Sequence, residues 1–241
     1  MAKSSRGGRR AGASISQSHT GVQVTGHDGG GTRKVYRQMD DAQAQSIVDD
    51  NSDIYNDPDF RDAQKLYISA TDANGDGFSY SQNLNYKLDN GIALDPTEKF
   101  IDDNIQLGMR DIGSDVTLTR ACHDDILKSC GISDYTKLSE SQLQSRLIGT
   151  EIKTTSYMST SYNASKNPFM TGINSGGREV YMNVKVGSST KVVLGAKAQS
   201  EVVINKGTNF RITGIRYDGT YATPRGSSKP KPRVVIDIET Y

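Results

Sequence analysis

The texture of this chain changes once, near residue 113, and that change restricts its fold more than any other feature. Before it, apolar residues recur at helical spacing; after it, short apolar runs alternate with clusters of Gly, Asn and Ser. Helices first and strands later predict an α+β domain and argue against a βαβ array.

The helical half has readable boundaries. Residues 40–54 carry Ile47, Val48 and Ile54, and Pro58 opens a second helix through Phe60, Leu66 and Ile68. A third helix has Leu84 and Leu88 four apart and ends at Gly91, a candidate left-handed cap. Asp95, Pro96 and Glu98 spell N-cap, first helical residue and capping-box partner for a fourth, with Phe100, Ile101, Ile105 and Met109 on its apolar face. In the second half, 116–121 alternates like a strand and 124–130 reads as a short helix. Ser139 and Gln142 form another capping box, for a helix bearing Leu143 and Leu147. Strands are predicted at 152–161, 179–186, 191–194, 201–204, 210–215 and 233–239.

At 241 residues the chain can form one sizeable domain, yet only 34% of it is hydrophobic and its mean hydropathy is −0.60. The N-terminus accounts for part of this. The first 40 residues hold 8 of the 24 glycines and 7 of the 29 Lys/Arg, against two acids, Asp28 and Asp40. That segment carries +5, which leaves −4 for the rest. Residues 1–38 therefore read as a flexible, basic, Gly/Ser-rich leader, and 39–241 as the folded domain: a helical lobe over about 39–112, then a mixed, strand-rich core over about 113–241. Nucleic acid is not expected as a partner despite the basic leader. No run has the length and apolarity of a signal-peptide core or a membrane span. Cys122 and Cys130 are too few for a disulfide framework, and suit a reducing compartment or export without a cleaved signal.

Several chemical motifs are set aside. Asp72 to Gly77 copies the front of a calcium loop, but its twelfth position is Asn83 where a bidentate glutamate is needed, so it reads as a turn. His19, His27 and His123 lack companions at metal-site spacing, and no metal is expected.

Three polar landmarks on apolar strands remain: Arg120 in the 116–121 run, Ser159-Thr160-Ser161, and Gln199-Ser200-Glu201 at the mouth of the 201–204 strand. Arginine offers a planar fork for phosphate, and a carboxylate suits stabilisation of a sugar that develops positive charge. Arg120 could instead pair with Asp124 or Asp125, and Ser159 could face solvent.

In order and spacing these residues resemble the arginine-serine-glutamate class of mono-ADP-ribosyltransferases, the family of the bacterial ADP-ribosylating exotoxins. Arg120 precedes Ser159 by 39 residues, and Ser159 precedes Glu201 by 42, within the family's range. The stretch with Tyr80, Asn85 and Leu88 resembles the family's helical lobe. Many relatives have Arg-Gly on the first strand, where this chain has Arg120-Ala121. The likeness is strongest to phage- and mobile-element-encoded members, some of which travel with the virion.

The resemblance implies a helical lobe followed by a two-sheet β-core, with an NAD cleft between them. It implies an NAD-dependent enzyme that transfers ADP-ribose to a protein side chain in the cytoplasm of a target cell and releases nicotinamide. Glu201 is then the catalytic carboxylate and Ser159 orients it and the cofactor. Arg120 holds the pyrophosphate, and Thr160 and Ser161 complete the cofactor strand. Phe169, or failing it Tyr162, packs the nicotinamide. Lys166 and Arg178 could contact phosphate, but solvated charge is the preferred reading. Gln199 places the chain in the Gln-x-Glu branch, which favours an asparagine, glutamine or hydroxyl acceptor over arginine, because glutamine cannot pair with a guanidinium as glutamate does. The alternatives are an NAD glycohydrolase, with water as acceptor, and an inactive virion or interaction protein of the same fold.

Overall fold

The structure, a computed structural model, describes residues 35–69, 77–166, 177–224 and 229–241. The helices are α1 (Asp41–Asp49), α2 (Ser52–Tyr55), α3 (Pro58–Ile68), α4 (Tyr80–Asn90), α5 (Pro96–Gly108), α6 (Asp125–Ser129) and α7 (Glu140–Leu147). The strands are β1 (Arg37–Gln38), β2 (Arg110–Asp111), β3 (Val116–Cys122), β4 (Glu151–Lys153), β5 (Met158–Ser161), β6 (Val180–Val186), β7 (Lys191–Leu194), β8 (Glu201–Ile204), β9 (Asn209–Ala222) and β10 (Lys231–Thr240). The α+β order expected from the texture change is present.

Local chemistry sets the helix ends. Asp40, Ser79, Asp95 and Ser139 each accept a hydrogen bond from the backbone three residues on, and each is answered by a Gln or Glu side chain in a full capping box. Caps of this kind contribute about 1 kcal/mol each. Gly91 ends α4 at φ 62°, a left-handed conformation that glycine adopts without strain. The expected 40–54 helix breaks between α1 and α2, where the Asn51 side chain donates to the carbonyl of Ile47 at 2.8 Å.

α3, α4 and α5 form one core. Phe60, Ala63 and Tyr67 are the buried face of α3, and Ile101 and Ile105 that of α5. They close around Leu84, Tyr157, Val193 and Val203. Gly108 permits the contact, since a Cβ there would lie 2.2 Å from the Phe60 ring.

The strands form one ten-stranded mixed sheet of order β2-β7-β8-β5-β3-β6-β10-β9-β4, with β1 added parallel to β3. The expected two-sheet core is therefore corrected to a single sheet. The continuity is narrow: β3 and β5 pair only at Thr119↔Ser161, reinforced by a 3.0 Å bond from the Thr119 hydroxyl to the Ser161 carbonyl. On either side of this seam pairing is extensive, with seven residue pairs between β3 and β6 and four between β5 and β8. The two halves share a second core of Met158, Val202 and Ile204 with Leu118, Val184, Ile236 and others.

The two cores lie on opposite faces of β5 and β8. Alternation sends Tyr157 and Val203 toward the helices, and Met158, Val202 and Ile204 the other way. The expected 152–161 strand is in fact two. The Thr154 hydroxyl bonds the turn after β8, accepting from the Thr208 amide at 3.0 Å. The chain is redirected there, so β4 pairs with β9 while β5 pairs with β8. The last part of the expected leader is also folded: Arg37 and Gln38 pair with Val116 and Thr117.

Candidate functional site

A cavity of about 350 Å³ opens between α3 and α4 on one side and β3, β5 and β8 on the other. Tyr67, Asn85, Arg120, Ser159, Arg178 and Glu201 are among the residues that line it. The structure thus brings the three strand landmarks of the sequence to one place.

Glu201 is the first residue of β8 and stands directly opposite Ser161 on β5. A tight loop delivers it. Lys197–Gln199 form one 3-10 turn, and Ser200 follows at φ 49°, ψ 43°, a left-handed conformation uncommon outside glycine. The loop is closed by the Gly195 amide on the Glu201 carbonyl at 3.0 Å and by the Glu201 amide on the Ala196 carbonyl at 3.2 Å. The Ala196 amide then donates to Glu201 Oε2 at 2.9 Å, which fixes the carboxylate without spending its other oxygen. Gly195 leaves room for it in this position: a Cβ there would fall 2.2 Å from Oε2.

The Ser-Thr-Ser strand divides its work. Ser159 is half-buried and lines the cavity, as Tyr67 does. Thr160 and Ser161 are buried, and their hydroxyls serve the backbone. Thr160 donates to the Val202 carbonyl at 2.7 Å, locking β5 to β8. Ser161 donates to the Gln199 carbonyl at 2.7 Å, tying the loop that carries Gln199 and Glu201 to β5. Gln199 itself is exposed, at the cavity edge.

Arg120, on β3, crosses the seam and donates from Nη1 to the Ser159 carbonyl at 2.5 Å. Among the described residues it makes no ion pair. Asp124, its candidate surface partner, is taken by Lys128 and Lys231 at 2.6 and 2.8 Å. Arg178 is not the solvated charge that the sequence suggests. It lines the same cavity, and burial, with the nearby Arg120 guanidinium contributing, holds it below the ordinary arginine value. Two guanidiniums in one partly dry cavity favour an anion between them. His123, also in the lining, is 2.7 Å from the buried Glu179 carboxylate. Burial pushes the Cys122 thiol up to about 11, so it is neutral and not nucleophilic.

Phe169 lies outside the described residues, as do His19, His27 and most of the calcium-like loop. Tyr162, the second aromatic candidate, is largely buried and donates to Asp41 at 2.8 Å. Lys166 is 3.8 Å from Asp41. No cluster of three or more metal-ligating residues exists among the described residues. No described helix is long and apolar enough to cross a membrane.

Sequence reasoning missed Tyr67. It sits seven residues after Phe60 and four after Ala63, a spacing that marks only a helix face turned inward. Its signal as a cavity residue exists only once α3 is laid across β5.

The family model described as ADP-ribosyltransferase exoenzyme matches residues 77–240, about two thirds of the chain and all of the strand landmarks. The chain belongs to the ADP-ribosyltransferase exoenzyme family. It is thereby an enzyme of the ADP-ribosyl-transfer class. Among solved structures, it resembles Plx2a, an ADP-ribosyltransferase toxin from Paenibacillus larvae, at 13% identity and a TM-score of 0.58, over 86% of this chain and 100% of that one. C3stau2 from S. aureus, solved with NAD, matches at 14% identity and TM-score 0.55, over 87% and 99%. The ADP-ribosylating toxin BECa of C. perfringens, solved with NADH, matches at 15% and 0.58, over 86% of this enzyme and 50% of its own length. At such identities the likeness is one of fold. Comparison with curated proteins finds no match.

Proposed function

We propose that this enzyme transfers ADP-ribose from NAD to a protein side chain, with asparagine, glutamine or a hydroxyl residue preferred over arginine. The observation that carries the reading is the meeting of Arg120, Ser159 and Glu201 in one cavity of a chain of this family. The residues fit NAD. The cavity is within the ~300–1,000 Å³ typical of small-molecule sites. Arg120 and Arg178 suit a pyrophosphate, and the Glu201 carboxylate keeps one oxygen available beside Gly195.

In this reading Arg120 and Arg178 grip the pyrophosphate and orient the ribose. Glu201 accepts a hydrogen bond from the ribose 2′-hydroxyl. That bond strengthens as positive charge builds on the sugar, so Glu201 stabilises bond breaking more than the bound ground state. The electron pair of the breaking bond leaves with nicotinamide. The acceptor nitrogen or oxygen forms the new bond to the ribose C1 and gives its proton to solvent.

Gln199 is exposed on the loop that ends at Glu201, where an incoming protein would meet it. Its amide can orient an amide or hydroxyl, but it has no charge to offer a guanidinium. This supports membership of the Gln-x-Glu branch. Thr160 and Ser161 contribute by holding the strand and the loop. Phe169 remains the proposed nicotinamide aromatic, on the resemblance alone. The likeness to phage-encoded members and action in a target cell's cytoplasm have the same footing, whereas the basic leader ahead of β1 is proposed from its composition.

Incubation of the purified protein with labelled NAD and a host lysate tests the reading. Label on a lysate protein is the expected result. Free ADP-ribose without protein label would mean a glycohydrolase, and neither product would overturn the proposal.

A further inference from the structure

Two side chains of the helical lobe hold the edge of β7 just before the loop that delivers Glu201. β7 pairs with β8 on one side, and on the other β2 reaches only Lys191 and Val192. Backbone groups alternate in direction along a strand, so the N–H and C=O of Leu194 turn to the same side as those of Val192, where β2 has ended. Side chains meet both. The Leu194 amide donates to the Tyr55 hydroxyl at 2.9 Å, and the Gln64 amide nitrogen donates to the Leu194 carbonyl at 2.6 Å. They satisfy the groups that a neighbouring strand would otherwise satisfy.

The two clamps come from anchored elements. Tyr55, the last residue of α2, sets its ring edge-on to the buried Phe60, with centroids 5.3 Å apart, and packs against both cores. Gln64 lies on α3, one turn after Phe60. Neither residue lines the cavity. Their influence reaches it through the backbone. Leu194 is followed by Gly195, whose amide bonds the Glu201 carbonyl at 3.0 Å, and by Ala196, whose amide donates to Glu201 Oε2 at 2.9 Å. Among the described residues the Ala196 amide is the one hydrogen-bond partner of that carboxylate. The carboxylate is therefore placed as well as residues 195 and 196 are placed, and no better.

We propose that Tyr55 and Gln64 are positioning residues for ADP-ribosyl transfer: by holding the peptide groups of Leu194 at the open edge of β7, they fix the course of Gly195 and Ala196 and so the direction of the Glu201 carboxylate. The inference rests on the NAD-cleaving reading above. It joins the helical lobe to the catalytic carboxylate through main-chain contacts that lie outside the cavity.

The test measures kcat and KM for nicotinamide release from NAD, together with thermal midpoints, for Tyr55→Phe, Gln64→Met and each combined with Glu201→Gln. Tyr55→Phe keeps the ring against Phe60 and removes the acceptor for the Leu194 amide. Gln64→Met keeps a side chain of similar length and helix propensity and removes the donor to the Leu194 carbonyl. Each should lower kcat about tenfold, less than the roughly 10²-fold cost of a 1 Å displacement, with the KM for NAD nearly unchanged. In the Glu201→Gln background neither should have a further effect, because the place of the carboxylate no longer matters. Gln64 is only half-buried, so its variant carries the test independently of any stability that Tyr55→Phe loses. Losses that multiply with that of Glu201→Gln, a raised KM at constant kcat, or a lowered midpoint alone would overturn the inference while leaving NAD cleavage intact. A wild-type protein that releases no nicotinamide overturns the underlying reading as well.

Discussion

The carboxylate of Glu201 occupies the space that a side chain would need at Gly195. A methyl group at Gly195 would sit 2.2 Å from Oε2, 2.7 Å from Cδ and 2.9 Å from Cγ, so the whole end of the Glu201 side chain would have to move. Gly195→Ala should therefore damage turnover without unfolding the enzyme. A shift of about 1 Å in a reacting group costs on the order of 10²-fold. Nicotinamide release and a melting curve check this together. Turnover within twofold of wild type would mean that the carboxylate has no fixed place.

Glu201→Gln should lower turnover by about 10²–10³-fold, as removal of a transition-state partner does. The amide oxygen can still accept from Ala196, so the loop should keep its shape. NAD affinity should change little, because the lost interaction matters most as charge develops. Near wild-type turnover in this variant would remove Glu201 from the chemistry.

The two arginines should separate in their effects. Both are proposed to hold pyrophosphate, so Arg120→Ala and Arg178→Ala should each weaken NAD binding in calorimetry. Arg120 also bonds the Ser159 carbonyl across the seam. Its loss should therefore lower kcat too, and Arg120→Lys should recover only part of either, since a point charge cannot replace a planar fork. Equal affinity for wild type and both alanine variants would refute the phosphate role.

Gln199→Ala should reduce transfer to protein far more than NAD hydrolysis, because water needs no orienting amide. The modified residue, mapped by fragmentation, should be asparagine, glutamine or a hydroxyl residue. An adduct on arginine, released by neutral hydroxylamine, would contradict the assignment.

A chain beginning at Val35 should retain NAD cleavage. One beginning at Asp41 should be less stable, because it loses the pairing of Arg37 and Gln38 with β3, the 2.8 Å bond from Tyr36 to Glu239, and the bond from Gln38 to the Tyr162 carbonyl. A loss of even 1–2 kcal/mol would lower the melting midpoint by about 2–8 °C. Equal midpoints would show that β1 contributes nothing.

What the sequence made legible was whatever is encoded locally. The capping boxes at Asp95 and Ser139 and the stop at Gly91 depend on residues within one turn of each other, and all three are present. Arg120, Ser159 and Glu201 could be found because order and spacing along the chain carry the family pattern. The seam could not be found. It consists of one pairing, Thr119 with Ser161, between segments 42 residues apart, and no periodicity announces it. Arg178 was ranked too low as a phosphate contact, and Tyr67 was missed, for a related reason. An isolated basic residue before a strand and an aromatic on a helix face look ordinary until tertiary packing turns both toward the same cavity.

The fold holds two separate cores, and the cavity touches the elements around each: Tyr67 on the helical side, Arg120 and Arg178 on the side of β3 and β6. A molecule spanning that cavity would act as a rivet between two cooperative units. Binding to the folded state alone raises its stability through mass action, and a ligand held by both units raises them jointly. In scanning calorimetry the apo protein should melt broadly, with a ratio of van't Hoff to calorimetric enthalpy below one. With saturating NAD and the Glu201→Gln variant, which holds the dinucleotide without consuming it, the transition should sharpen as well as rise.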